Sequence, residues 1–400
     1  MGRTIRLNGD VAADVADAEA AIIRLNAEGI ALTDTEALAR ILLRAESVAS
    51  SRIEGLQIGP RRLLRAEVAR QEGLSIEGIH AAEVLGNIDA MAWASRSSPD
   101  YGPITVEYLL EAHRRLTAGT RLEQYGGHIR TEQNWIGGSD YNPCSASFVP
   151  PPPEEVEELL ADLAAFCNTD SLPAVAQAAL AHAQFETIHP FVDGNGRIGR
   201  VLIHLILKKR GLAERILPPV SLILATWSRD YVEGLTATRY VGEADSDPAH
   251  EGTNKWIAMF ASACSRAVAD ASDFEHRIRA LQQEWRGRAS PVRKDSAAAR
   301  LIQALPGTPV LTVRSAAAVI ERSFVQTNQA ISRLIEAGIL SPLNLARRNR
   351  AFEARDVVDA FADLERQLAS PEGNTLASPP SRRVPPRRPA RIPSPRRARR

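Results

Sequence analysis

The stretch His189-Pro190-Phe191-Val192-Asp193-Gly194-Asn195-Gly196-Arg197-Ile198-Gly199-Arg200 decides how the rest of the chain is read. Gly194-Asn195-Gly196 can present consecutive backbone N–H groups as a concave anion site. The apolar run from Ile198 to Lys209 predicts a helix that starts directly after this loop, so its positive N-terminal end faces the same point. Arg197 and Arg200 stand three apart on that helix and can project side by side. Together these features make a cradle for a phosphate chain. Asp193 at its lip can take a divalent metal that bridges the phosphates. His189 stands just before the loop, where an imidazole can accept a proton from an attacking hydroxyl. Taken singly, each is ordinary: a His before Pro is usually structural, Gly-Asn-Gly is usually a turn, and Arg pairs on helices are usually solvated. Six such residues at one helix start are much harder to assign to chance.

Outward from this stretch, helical spacing of Ala, Ile and Leu predicts helices over 11–50, with Thr33 or Asp34 capping the second. Gly55, after Ser50-Ser51-Arg52-Ile53-Glu54, is a natural glycine just past a helix end. Further helices are expected over Glu77–Ser95, Thr105–Thr117, Glu154–Asn168, Pro173–Glu186 and 221–284. Between them, Gly126-Gly127, Asn134-Trp135-Ile136-Gly137-Gly138 and Asn142-Pro143 are turn signals around short extended pieces, which fits a small hairpin or flap. Residues 290–365 read as a separate small unit: a helix over Ala298–Leu305, a helix–turn–helix over 315–337, then a β-wing tipped by Arg347-Arg348-Asn349-Arg350. That basic run either touches DNA phosphates or is the solvated wing of a protein-interaction module, and both readings stand. Tyr231 and Tyr240 read first as core packing, with an adenine pocket or self-modification as alternatives.

Composition sets the outer limits. The chain has 400 residues, 44% hydrophobic and 24% charged, with a net charge of +1. That is the balance of a globular protein of two or three domains. It excludes wholesale disorder, collagen and a disulfide scaffold. No apolar run reaches a membrane span, and Met1–Asp10 lacks a secretory leader's apolar core, so no membrane partner is expected. Three widely spaced cysteines, Cys144, Cys167 and Cys264, point to a reducing cytoplasm. The net charge hides an asymmetry: residues 371–400 hold nine Arg against one acid, Glu372, so the body is mildly acidic and the Pro/Arg-rich tail strongly basic. The tail reads as disordered, either a nonspecific tether for a polyanion or a solvated extension.

Residues 189–200 match every specified position of H-x-F-x-(D/E)-G-N-G-R-x-x-R, and the chain here resembles the Fic (filamentation induced by cAMP) family. Gly127-His128-Ile129-Arg130-Thr131 with Asn134–Gly138 is similar to the family's flap. The resemblance implies an all-α fold: a Fic helical bundle with a small β-hairpin flap, plus a C-terminal winged helix. It implies an N-terminal helical region over 1–100, a catalytic core over 101–225, C-terminal Fic helices over 226–289, a winged-helix-like domain over 290–365 and a basic tail over 366–400. It further implies transfer of AMP from ATP to a Tyr, Ser or Thr hydroxyl of a protein, self-modification included. His189 would be the general base and Asp193 the ligand of Mg²⁺. Gly194, Asn195, Gly196 and Arg197 would hold phosphates, with Arg200 on the γ-phosphate. Ile136 and Gly137 of the flap would pin the target by strand pairing.

Ser50, Glu54 and Gly55 match a second family motif, (S/T)-x-x-x-E-(G/N), which implies an inhibitory helix over about 35–55 whose Glu54 pairs with Arg200. A homodimer is compatible with the resemblance. Two other functions stay open: a DNA-binding regulator built on a nucleotide-sensing Fic module, and a Fic enzyme that removes AMP or transfers another phosphate group.

Overall fold

In a computed structural model, residues 5–30, 35–76, 78–96, 102–138, 142–346 and 349–367 are described. Five helices open the chain: α1 (Gly9–Ile30), α2 (Thr35–Ile53), α3 (Pro60–Gln71), α4 (Ile79–Arg96) and α5 (Val106–Thr117). After the flap come α6 (Pro153–Cys167), α7 (Ala174–Ile188), α8 (Asn195–Lys209), α9 (Val220–Thr226), α10 (Ser228–Ala237) and the long α11 (Asp247–Arg288). The C-terminal unit follows as α12 (Ala297–Ala304), β1 (Val310–Thr312), α13 (Val313–Ile320), α14 (Phe324–Glu336), β2 (Ser341–Ala346), β3 (Asn349–Glu353) and α15 (Arg355–Gln367).

Helix α8 occupies the centre: every residue from Asn195 to Leu207 is buried, the polar stripe of Arg197, Arg200 and His204 included. Ala-rich α7, also buried on nearly all sides, lies along it, and α2, α4 and α5 close the remaining sides. Close approach is bought with glycine where α4 meets α5: a Cβ on Gly86 would stand 2.2 Å from the Leu116 carbonyl oxygen. Helix α11 packs on α1, α7, α9 and α10 at one end and on α12 and α15 at the other. Its fully buried Trp256 and Trp285 each find a partner for the indole N–H, Ala179 O at 2.7 Å and Asp356 Oδ2 at 2.8 Å.

The C-terminal unit has an antiparallel sheet of order β1-β3-β2, in which Leu311 faces Phe352 across one pair and Pro342 faces Phe352 across the other. Capping boxes at Thr312 and Ser323 start α13 and α14. The unit leans directly on α2 and α3. Arg44 of α2 holds Glu67 of α3 with two bonds of 2.9 Å and donates a third to Gly307 O at 2.6 Å. Arg52 meets Glu365 at 3.2 Å, and Thr312 Oγ1 donates to Glu72 at 2.8 Å. One continuous apolar core runs from Val11 to Leu364.

Several elements differ from expectation. Helix α3 was not anticipated: its buried Leu63, Leu64, Ala66 and Val68 face α4 on one side and the C-terminal unit on the other, so they make no single stripe. The helix expected over 221–284 breaks at Trp227, which ends α9 and begins α10, and again between Ala237 and Asp247. Among its described residues the flap shows an antiparallel bridge from Ile136 to Phe148, and Gly137 and Gly138 take φ of 74° and 78° where the chain turns. Arg366 and Gln367, assigned to the basic tail, belong to α15. Thr33, Asp34, Arg347, Arg348 and the tail from 368 lie outside the described residues.

The α4–α5 crossing gives a stability test. Gly86→Ala should cost about 1–3 kcal/mol through overpacking against backbone. The thermal midpoint should fall by roughly 2–4 °C for each of those kcal/mol. An unchanged midpoint would show that the two helices can separate freely.

Candidate active site

His189 ends α7 in a left-handed conformation, φ 49° and ψ 61°, unusual for a residue other than glycine. The surroundings hold it there. Buried Arg130 donates Nε to His189 O at 2.9 Å and its main-chain N–H to Pro190 O at 2.9 Å, and it reaches Pro151 O at the base of the flap. The Asn195 amide is oriented by Phe191: the Phe191 N–H donates to Oδ1 and Nδ2 donates to Phe191 O, both at 2.8 Å. Asn195 Nδ2 therefore approaches His189 Nδ1 as a donor at 3.2 Å, and Asn134 Nδ2 of the flap does the same at 2.9 Å. With two amide donors on Nδ1, the neutral ring keeps its lone pair there and its proton on Nε2. Burial holds the imidazole pKa down at about 4, against the opposing pull of the Glu54 carboxylate.

Gly194, at φ 83°, caps α8, and Ile198 is the first residue whose N–H finds a helical acceptor, Gly194 O at 3.0 Å. A Cβ on Gly196 would stand 2.0 Å from Glu54 Oε1, so the carboxylate of Glu54 lies against the loop itself. Arg200 is fully buried and spends its guanidinium on the end of α2: Nε to Ser50 Oγ at 2.8 Å, Nη2 to Ser50 O at 2.8 Å and Nη2 to Glu54 Oε1 at 2.6 Å. Burial alone would lower its pKa, yet Glu54, Tyr231 and Glu186 outweigh that and raise it. Glu54 is aimed by the chain turn after α2. Gly55, at φ 79°, donates to Arg52 O at 3.0 Å and Leu56 to Ser51 O at 3.0 Å, the double bond pattern of a glycine-terminated helix. Any side chain at 55 would strain that turn.

Arg197 is buried too, but it points along the rim. Nη2 meets Asp193 Oδ1 at 3.1 Å and Nη1 lies 3.8 Å from buried Glu83. Asp193 is 41% exposed, with Oδ1 committed to Arg197 and to the Gly194 N–H. Among the described residues, no group of three or more His, Cys, Asp or Glu could hold a metal by protein ligands alone. One exposed carboxylate nevertheless fits Mg²⁺, which commonly binds through one or two carboxylates plus the phosphates of its substrate. In the flap, Ile136 spends both backbone groups internally: its N–H donates to Phe148 O at 2.9 Å and its carbonyl accepts from Ser147 N at 2.8 Å. Gly137 is held close to Ser147, leaving no room for a Cβ.

Some participants carried no local signal in the sequence. His113 of α5 accepts from Gly127 N at Nδ1 (3.1 Å) and donates from Nε2 to Asp193 O (3.0 Å), with its ring stacked 3.8 Å from that of Phe191. Burial pushes its pKa down to about 4. Asn134 looked like a turn residue. Tyr231 is core, as first read, but its hydroxyl bonds His182 Nε2 at 2.8 Å and lies 3.4 Å from Arg200. Burial raises the pKa of Glu186 to about 7 beside the same Arg. In the C-terminal unit, the exposed first turn of α14 presents Phe324 and Val325, without a basic residue in that turn.

Family models match along this same framework: the Fic/DOC family over residues 103–207 and the Fic/DOC family N-terminal region over residues 12–96. The chain carries a Fic/DOC domain. Curated relatives of this Fic protein include "Protein adenylyltransferase fic-1" of Caenorhabditis briggsae, 36% identical over 141 residues, which are 34% of this chain and 26% of the relative. "Protein adenylyltransferase Fic" of Drosophila willistoni is 34% identical over 139 residues, again 34% of this chain and 26% of the relative. The match thus spans about a quarter of the length of these relatives. A Fic family protein of Desulfovibrio desulfuricans shares the fold with a TM-score of 0.55, at 22% identity over 88% of this chain and 98% of that one. No helix among the described residues is long and apolar enough to cross a membrane.

His113 offers a direct check on how the loop is held. His113→Leu would strand the Gly127 N–H and the Asp193 carbonyl, and should destabilise the fold by about 1–3 kcal/mol. His113→Gln, with one donor and one acceptor, should recover part of the loss. Urea melts of the three forms with equal midpoints would remove His113 from this role.

Proposed function

We propose that this Fic protein transfers AMP from ATP to a Tyr, Ser or Thr hydroxyl of a protein, and that Glu54 holds the activity down. The observation that carries the proposal is the position of the Glu54 carboxylate: on Arg200 at 2.6 Å and against Gly196, where a phosphate would otherwise rest. The names of the curated relatives support the reaction class.

Each residue then has a defined task. The loop N–H groups at the start of α8 and the guanidinium of Arg200 bind the phosphate chain. Asn195, locked by Phe191, presents its amide beside Nδ1 of His189. Asp193 would hold Mg²⁺ with the phosphates; the ion would neutralise charge on the departing pyrophosphate. The target hydroxyl oxygen forms a bond to the α-phosphorus as the bond to the bridging oxygen breaks. Asn134, Asn195 and Arg130 hold the His189 ring until the target arrives; the hydroxyl then displaces the two amides from Nδ1, which takes its proton. Gly137, held beside Ser147, offers the flap edge to an extended target segment. Catalysis on this scheme is mainly alignment and charge stabilisation.

Glu54→Gly should raise self-labelling and labelling of lysate proteins from ATP. A charge-assisted contact is worth about 1.5–3 kcal/mol, and Glu54, one third exposed, belongs at the low end. At 1.4 kcal/mol per decade, that still shifts the active population at least about tenfold. Glu54→Gly/His189→Ala is the blank and should not label. Labelling by Glu54→Gly no better than the parent would leave Glu54 as a mere helix end.

The protonation state of His189 gives a second test. A free imidazole near 6.5 would cost activity in mildly acid solution. Here burial keeps the base unprotonated down to about pH 4, so the acid limb of kcat/KM should fall near 4. Removing Glu54 takes away an upward pull, so the limb of Glu54→Gly should lie at or below that value. An acid limb near 6.5 would mean that the base is another group or that His189 is open to water.

A further inference from the structure

Towards the end of α2 remote from Glu54, a cavity of about 500 Å³ opens between α2, α3, α4 and the start of the C-terminal unit. Leu43, Leu64, Val68 and Ile88 give it an apolar lining. Five arginines stand around it. Three are matched: Arg40 by Glu36, Arg44 by Glu67 and Arg70 by Asp89. Arg96, at the end of α4, and Arg215, in the loop after α8, have no carboxylate within salt-bridge distance among the described residues, and both are exposed to solvent. The wall therefore combines apolar surface with two uncompensated positive charges.

We propose that this cavity is an effector site for a small molecule with an apolar or aromatic body and an anionic head, a carboxylate, sulfonate or phosphate monoester. The volume lies in the range of small-molecule sites, and the mixture of apolar lining with a few charges is the usual chemistry of such sites. Arg96 and Arg215 receive the anionic head, and the apolar lining receives the body. The walls belong to segments far apart in sequence, so an occupant ties α2 to α3, α4 and Pro309–Val310 at once. A ligand moves an equilibrium only towards the state it prefers. The state that forms this cavity is the one in which Ser50 and Glu54 sit on Arg200. Occupancy thus holds α2 in place and deepens the block; this consequence, unlike the binding itself, rests on the inhibitory reading of Glu54.

The test uses the full chain and 1-naphthalenesulfonate as the probe. Calorimetric titration should give one saturable site, and the probe should raise the thermal midpoint. Arg96→Glu/Arg215→Glu should weaken binding at least about tenfold, with Arg96→Lys/Arg215→Lys closer to the parent. In the parent, saturating probe should lower self-labelling from ATP, whereas Glu54→Gly, with no carboxylate left to hold, should bind the probe and label at an unchanged rate. No saturable binding, or binding indifferent to the charge reversal, overturns the site. Binding with the expected charge dependence but no effect on parent labelling overturns the coupling to α2. Whether Glu54 is inhibitory is settled apart from all of this, by Glu54→Gly against its His189→Ala blank without probe.

Discussion

A guanidinium with almost no surface in solvent must be answered by negative charge or by acceptors, and Arg200 is such a group. Leaving it unpartnered would cost several kcal/mol, far more than the pair itself contributes. The bundle around it therefore favours states in which an anion or a set of acceptors sits at the start of α8. In the chain alone that part is taken by the C-terminal end of α2. On the function proposed above, a nucleotide phosphate would answer the same charge in the same place. On that reading inhibition and substrate binding would be alternatives for one buried cation, and what decides between them would be how firmly α2 is held.

The hold is distributed along the whole helix. Glu46, fully buried, accepts from Ser221 N at 2.8 Å and Ser221 Oγ at 2.5 Å and meets His204 Nε2 at 2.8 Å, which ties α2 to α9 and to α8 itself. Asn87 of α4 donates to Ser47 O at 2.9 Å and to Ser51 Oγ at 3.1 Å. Arg44 and Arg52 reach the C-terminal unit. A helix with Arg, Glu and three Ser among its buried residues is a poor core helix by hydrophobicity. Its polar groups are nearly all spent on neighbours, so its position is specified by directional bonds more than by apolar area.

The helical bundle and the loop that opens α8 were legible because both write themselves into consecutive residues. The apolar run after Gly196 had to be a central helix, and the sequence around Gly194 had to turn sharply before it. Glu54 was legible only through its family motif, since nothing local to α2 points at a residue in α8. His113 and Asn134 were not assigned roles because their partners, Gly127 and His189, are brought to them by folding. Helix α3 was missed for a related reason: it is buried on two sides by elements from opposite ends of the chain.

Helix α11 has a mechanical consequence. It runs 42 residues without a break and touches the bundle at one end and the C-terminal unit at the other. At 1.5 Å per residue it is about 63 Å long, so a tilt of about one degree at one end carries the other through roughly 1 Å. The two ends of the chain thus share a stiff beam in place of a slack tether. A load applied to the C-terminal unit is delivered to α1, α7 and α9 as rotation, and only small angles are needed to move side chains by the width of a hydrogen bond.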